Sequence, residues 1–161
     1  MPYAVLIALT SILDLSLKSG VEAAPEGYYP RDVKGTKGKL QIRRLHNPGL
    51  PFGKLKEYPE AVRCLPLAVA SALLLRLSLL LPGKGRGVEK TGLSLMIGGA
   101  ASNLFDRFFR GYVVDYLYVD KKPADKAVFN LGDVCIAAGS VLTGLSNIAR
   151  TFTCQHPRDM L

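Results

Sequence analysis

Cysteine and histidine are scarce in this 161-residue chain: three of the first and two of the second. Cys64, Cys135 and Cys154 stand too far apart for a thiolate metal site, and their odd number excludes a complete disulfide framework. Cys64 and Cys135 fall in apolar blocks, where a free thiol is expected to pack as a small hydrophobe. His46 and His156 have no neighbouring pattern that suggests a nucleophile pair, and solvated side chains are expected. Acidic residues are also short, 13 against 21 Lys and Arg, for a net charge of +8. The basic stretch has neither interleaved aromatics nor a recognisable binding module, which argues against nucleic acid as a partner. Anionic lipid headgroups account for the charge as well. There is no internal repeat and no low-complexity tract.

Apolar residues are plentiful, 48% of the chain, and they cluster at 3–17, 62–81, 91–105 and 129–148. A helix needs about 20 residues to cross roughly 30 Å of hydrocarbon. The second and fourth blocks meet that length; the first and third are short. The run CLPLAVASALLLRLSLLL has almost no polar stripe, unlike a helix of a soluble bundle. Its one charge, Arg76, would cost roughly 2.5 to 3.5 kcal/mol at a bilayer centre, but near the end of the block it can snorkel outward. Reading the first block as a cleaved signal peptide, with Val21-Glu22-Ala23 as the site, meets two obstacles: the n-region has no basic residue, and Asp14 lies at the end of the apolar run.

The expected fold is therefore a membrane all-α protein with a small β element: four transmembrane helices and an extracytoplasmic β platform, forming a single domain over 1–161. An even number of spans puts both termini on one side, and the short basic loop with Lys84, Arg86 and Lys90 assigns that side to the cytoplasm. The basic segment of about 19–61 then lies outside, against the positive-inside tendency, which weakens for long translocated loops. Within it, residues 40–45 alternate as a short strand does.

Polar residues gather where the third block ends. Asn103, Asp106, Arg107 and Arg110 occur at i, i+3, i+4 and i+7, so a continuing helix presents them on one face. Gly111 breaks that helix, and 112–119, rich in Val and Tyr, reads as an extended segment carrying Asp115. A second carboxylate, Asp133, follows Asn130 by three residues at the start of the fourth block. Ionisable groups at membrane depth are costly and point to function. Two neighbouring carboxylates share one proton: the ionised member can activate water while the protonated one hydrogen-bonds a developing oxyanion, which is hydrolysis of an amide without a metal. The N-terminal dipole of the fourth helix favours the anion at Asp133, leaving the shared proton on Asp115. The plainer reading is an ion-paired cluster tying spans together, and for Asp106 and Arg107, a carboxylate beside a guanidinium, that structural role is favoured.

These residues resemble the lipoprotein signal peptidases (signal peptidase II), bacterial membrane aspartic peptidases with four spans. GGAASNLFDRFFRGYVVDY at 98–116 is similar to the family pattern GGAxGNxxDRxxxGxVxDF, FNLGD at 129–133 to FNxAD, and HNPGLPFG at 46–53 to its Asn-x-Gly-Ala-Ala-Phe segment. The resemblance implies Asp115 and Asp133 as the catalytic dyad, with Asn103, Asp106, Arg107 and Asn130 as the polar residues around it. It implies an aspartic endopeptidase that cuts lipid-modified prolipoproteins before the diacylglyceryl cysteine, near the extracytoplasmic face of the cytoplasmic (inner) membrane, with no metal or cofactor. Prolipoproteins and membrane phospholipid are the expected partners, and a monomer the expected state.

Departures lie away from the dyad. Asp14 and Lys18 match the end of the family's first span, whereas Leu15 stands for a Gln; Leu50 and Pro51 replace the two alanines after Asn47. Ser102 stands for a usual Gly and Gly132 for a usual Ala, all small. Substrate handling by Asn47 is the expectation these changes weaken most. A relative that is inactive, or a non-enzymatic membrane protein whose buried carboxylates bind or transport an ion, is the competing reading.

Overall fold

The computed structural model describes residues 2–50, 54–119 and 127–154. Pro51, Phe52, His156 and residues 121–126 lie outside them. In chain order come α1 (Pro2–Glu22), β1 (Arg31–Asp32), β2 (Leu40–Asn47), α2 (Pro59–Leu80), α3 (Gly87–Phe105), a five-residue π-helical turn (Asp106–Arg110), β3 (Val113–Val119), β4 (Ala127–Phe129) and α4 (Leu131–Cys154).

The apolar blocks become helices longer than the blocks themselves. α1 runs for 21 residues and α3 for 19, because flanking polar residues continue each helix. α1, α2 and α4 are long and apolar enough to cross a membrane. α3 carries Glu89 and Lys90 in its first turn. Val21 and Glu22 lie within α1, and Val21 packs with Val114 and Tyr116, so the stretch considered as a cleavage site is part of the fold.

Burial is inverted relative to a water-soluble protein. Asp14, Lys18, Ser94, Ser102, Asp106 and Asn130 are wholly buried, while Leu9, Leu75, Leu79 and Leu145 are 59–69% exposed. Apolar faces turned outward and charges turned inward are what a hydrocarbon solvent selects. Cys64 follows the same rule: it is exposed on α2, not packed in a core as the sequence suggests, beside the outward apolar residues Leu65 and Leu67.

α3 and α4 meet through glycine. A Cβ on Gly99 would lie 2.3 Å from the carbonyl oxygen of Gly132, and one on Gly139 would lie 2.4 Å from that of Gly92. The four glycines are spaced by seven on each antiparallel helix, so each pair removes side chains where the backbones touch. At the other end of the bundle Arg76 does not snorkel alone. Its guanidinium meets Glu89 at 2.8 Å, and Glu89 is buried, so α2 and α3 are pinned by an ion pair close to their connection.

The four strands form one antiparallel sheet in the order β1-β2-β3-β4. β2 contains the strand expected at 40–45, and the segment expected to be extended at 112–119 is β3. Val113 to Tyr116 are all buried, so β3 is covered on both faces: Val114 and Tyr116 against Val21, Tyr29 and Leu131, with Asp115 on the opposite side of the strand.

Candidate active site

α4 begins with a reciprocal cap. Asn130 Oδ1 accepts the Asp133 N–H at 2.9 Å, and Asp133 Oδ2 accepts the Asn130 N–H at 3.2 Å, the capping-box arrangement in which each residue satisfies the other's free backbone donor. Asn130 also reaches across to β3, donating Nδ2 to Asp115 Oδ1 at 2.8 Å. One residue therefore holds both carboxylates, Asp133 by its main chain and Asp115 by its side chain. Asn47, at the end of β2, donates Nδ2 to the other oxygen of Asp115 at 3.2 Å, and Asn103 donates to Asp133 Oδ1 at 2.9 Å.

Beneath the pair lies Lys18, without solvent exposure. Its ammonium contacts Asp14 Oδ2 at 2.8 Å, Asp106 Oδ2 at 3.2 Å, Asn103 Oδ1 at 2.7 Å and Ser102 Oγ at 3.1 Å. Four acceptors on two helices and the π turn around a buried cation account for the tolerance of two carboxylates here. Asp106 also accepts the Val114 N–H at 3.1 Å and pairs with Arg110 at 2.6 Å. The expected Asp106–Arg107 pair does not form. Arg107 instead donates to the carbonyls of Asn103 and Gly49, at 3.3 and 3.4 Å, joining α3 to the loop after Asn47. Consecutive residues on a helix diverge around its axis, so Asp106 turns toward α1 while Arg107 turns toward the platform. The nine residues singled out, Asp14, Lys18, Asn47, Asn103, Asp106, Arg107, Asp115, Asn130 and Asp133, form one connected network.

Two hydroxyls join the network unforeseen. Ser102 donates to Asp14 at 2.6 Å, and Tyr116 donates to Asp14 at 3.0 Å while accepting the Leu131 N–H at 3.1 Å. Burial, reinforced by Asp14, raises the Tyr116 phenol above its ordinary value, so it stays a donor. The clue was available in its position: the residue after Asp115 faces the other side of β3, toward α1. His46 is exposed, as expected, and also meets Glu22 at 2.8 Å and stacks on Tyr112 at 4.1 Å.

Electrostatics separate Asp115 from an ordinary carboxylate. Burial pushes it up to about 6, the charge of Asp133 adds to the rise, and the Asn47 and Asn130 amides and the Lys18 ammonium oppose it. Beside Asp133 an apolar groove of about 760 Å³ runs along α4, lined by Phe129, Ala137 and Val141 among others. A carboxylate pair at one end of an apolar groove can hold a polar bond next to a greasy group and protonate or deprotonate it.

The family described as Signal peptidase (SPase) II matches residues 6–149. A lipoprotein signal peptidase of Mesorhizobium japonicum is 30% identical over 88% of this chain and 82% of its own length. Those of Moorella thermoacetica (32%, 88% of this chain, 89% of its own) and Nostoc sp. (38%, 74% and 73%) are similarly related. Two structures of bacterial membrane enzymes obtained by the in meso method share the fold. One has a TM-score of 0.80 at 18% identity, covering 99% of this chain and 94% of its own; the other has 0.72 at 20%, covering 90% and 91%.

Proposed function

The chain belongs to the signal peptidase II family, and from that premise we propose that it is a membrane aspartic endopeptidase cleaving diacylglyceryl-modified prolipoproteins, with Asp115 and Asp133 as the dyad. The observation that carries this reading is the double role of Asn130, which binds one carboxylate of each element and so holds the two as a pair. In the proposed reaction Asp133, at the N-terminus of α4, is the anion and takes a proton from water. Asp115 holds the shared proton and donates a hydrogen bond to the scissile carbonyl, stabilising the oxyanion as water attacks. The proton then passes to the leaving amine. Asn47 and Asn103 fix the carboxylates' orientation, and Arg107 holds the loop beside them. The groove along α4 takes apolar parts of the substrate.

In this reading α3 is the fourth span. Its packing on α4 and α1 encloses its polar residues, which relieves the cost of Glu89, Lys90 and Asn103. The platform lies on the extracytoplasmic side of the inner membrane, and the protein acts as a monomer. The deciding experiment is a gel-shift assay of purified protein on a diacylglyceryl-modified precursor. Wild type is expected to cleave it, while Asp115→Asn and Asp133→Asn each lose at least about a thousandfold in rate and keep their helical content. Retained activity in either variant would remove that residue from the dyad.

A further inference from the structure

On a regular strand, consecutive side chains leave opposite faces, yet the consecutive Arg43 and Arg44 of β2 line one pocket. The pairing of β2 with β3 runs from Ile42↔Leu117 to Leu45↔Asp115, so β2 holds one extra residue there. This bulge re-aims side chains, and both arginines reach a pocket of about 390 Å³ walled by Tyr29 and Pro30.

Both guanidiniums are held in place with donors to spare. Arg43 gives Nε and one terminal nitrogen to Gln41 Oε1, at 3.0 and 2.7 Å, and lies 3.5 Å over the Tyr118 ring. Arg44 gives one terminal nitrogen to the carbonyls of Glu22 and Ala24, at 3.1 and 3.0 Å. A guanidinium has five N–H donors, so each retains donors after these bonds. Two carboxylates near the pocket among the described residues are engaged elsewhere: Glu22 with His46 and Tyr112, and Asp32 with Gln41.

The bonds of Arg44 also fix the depth of the pocket. Glu22 is the last residue of α1, so the pocket stands where a span leaves hydrocarbon, the level of the leaflet's phosphates. Tyr28 and Tyr29 sit beside it, as aromatic residues do at that boundary. We propose that the Tyr29–Pro30–Arg43–Arg44 pocket binds the phosphate of an anionic phospholipid headgroup, anchoring the platform to the bilayer surface. It stands on α1 crossing the membrane and not on the dyad. The chemistry recognised is a phosphate oxygen pair, which planar arginine forks bind bidentately.

Native mass spectrometry of the full chain released from detergent tests it, with phosphatidylglycerol, phosphatidylcholine and inorganic phosphate as probes. Wild type is expected to retain one phosphatidylglycerol in preference to phosphatidylcholine, and Arg43→Gln to hold it about tenfold more weakly. Lys37→Gln, which removes a platform charge away from the pocket, should leave retention unchanged. Failure of an excess of inorganic phosphate to displace the lipid supports the headgroup. Displacement with the same Arg43 dependence supports the phosphate pocket with the free ion as its occupant. Equal retention of both lipids by wild type, a measurement that needs no variant, overturns the proposal. An equal loss in Lys37→Gln and Arg43→Gln overturns it too, since charge alone would then be enough. Arg43→Lys, which keeps the charge and the stem over Tyr118, should lose less than Arg43→Gln.

Discussion

At the scale of single residues, Lys18 and Asp115 are the most informative. The i, i+4 spacing of Asp14 and Lys18 was legible and forms as a buried pair, but the partners that make Lys18 a hub, Ser102, Asn103 and Asp106, lie 84 or more residues away in sequence, where no local pattern reaches. Replacing Lys18 by Met leaves the buried Asp14 without its cation and Asp106 with Arg110 alone. Such a change costs about 3 to 5 kcal/mol, and a large fall in the thermal unfolding temperature in detergent is the expected readout. Asp115 gives a pH dependence of definite sign. Its folded value, about 6, lies above the roughly 3.9 of an unfolded aspartate, so between about pH 4 and 6 the native state keeps a proton that the unfolded chain has lost. The contribution of this group to stability is therefore greatest below that window and declines as pH rises through it. Asp115→Asn should melt higher relative to wild type at pH 7 than at pH 4. The same proton governs the proposed catalysis, so the basic limb of kcat/KM should fall with an apparent pKa of the pair at or above about 6, not near 4.

At the scale of elements, the apolar blocks and the extended reading of 112–119 were legible because periodicity and composition are local. The meeting of α3 and α4 was not, although its signal was present: glycines at 92 and 99, and at 132 and 139, share one spacing. Gly132 looked interchangeable with the alanine common in the family, yet a Cβ there would stand 2.9 Å from an Asp14 carboxylate oxygen and 3.0 Å from the carbonyl oxygen of Gly99. Contacts of that kind depend on which helices are neighbours, which one chain's pattern does not state. Gly99→Ala should push α4 from α3 and shift Asp133, reducing cleavage at least about tenfold with a lowered melting temperature. Gly144, with open space around its would-be Cβ, is the control: Gly144→Ala should be neutral or stabilise by up to about 1 kcal/mol.

At the scale of the whole molecule, the charge distribution and the proposed topology disagree with the simplest form of the positive-inside tendency, since the basic platform is assigned to the outside. Sidedness is directly measurable. In a background whose cysteines are replaced by serine, Lys37→Cys in the platform should react with an impermeant maleimide added to intact cells, and Lys84→Cys in the α2–α3 loop should react only after the membrane is opened. The reverse pattern would invert the topology and put the carboxylates on the cytoplasmic side.

Asn130 has one more effect. It caps α4, closes the turn from β4, and grips Asp115 on the neighbouring strand, while Leu117 pairs with Phe129 immediately before it. Sheet and helix start are thus welded at a single joint. When a thinner or thicker bilayer tilts the spans, the two carboxylates travel together as one rigid jaw, and the gap between them stays fixed while the membrane around it varies.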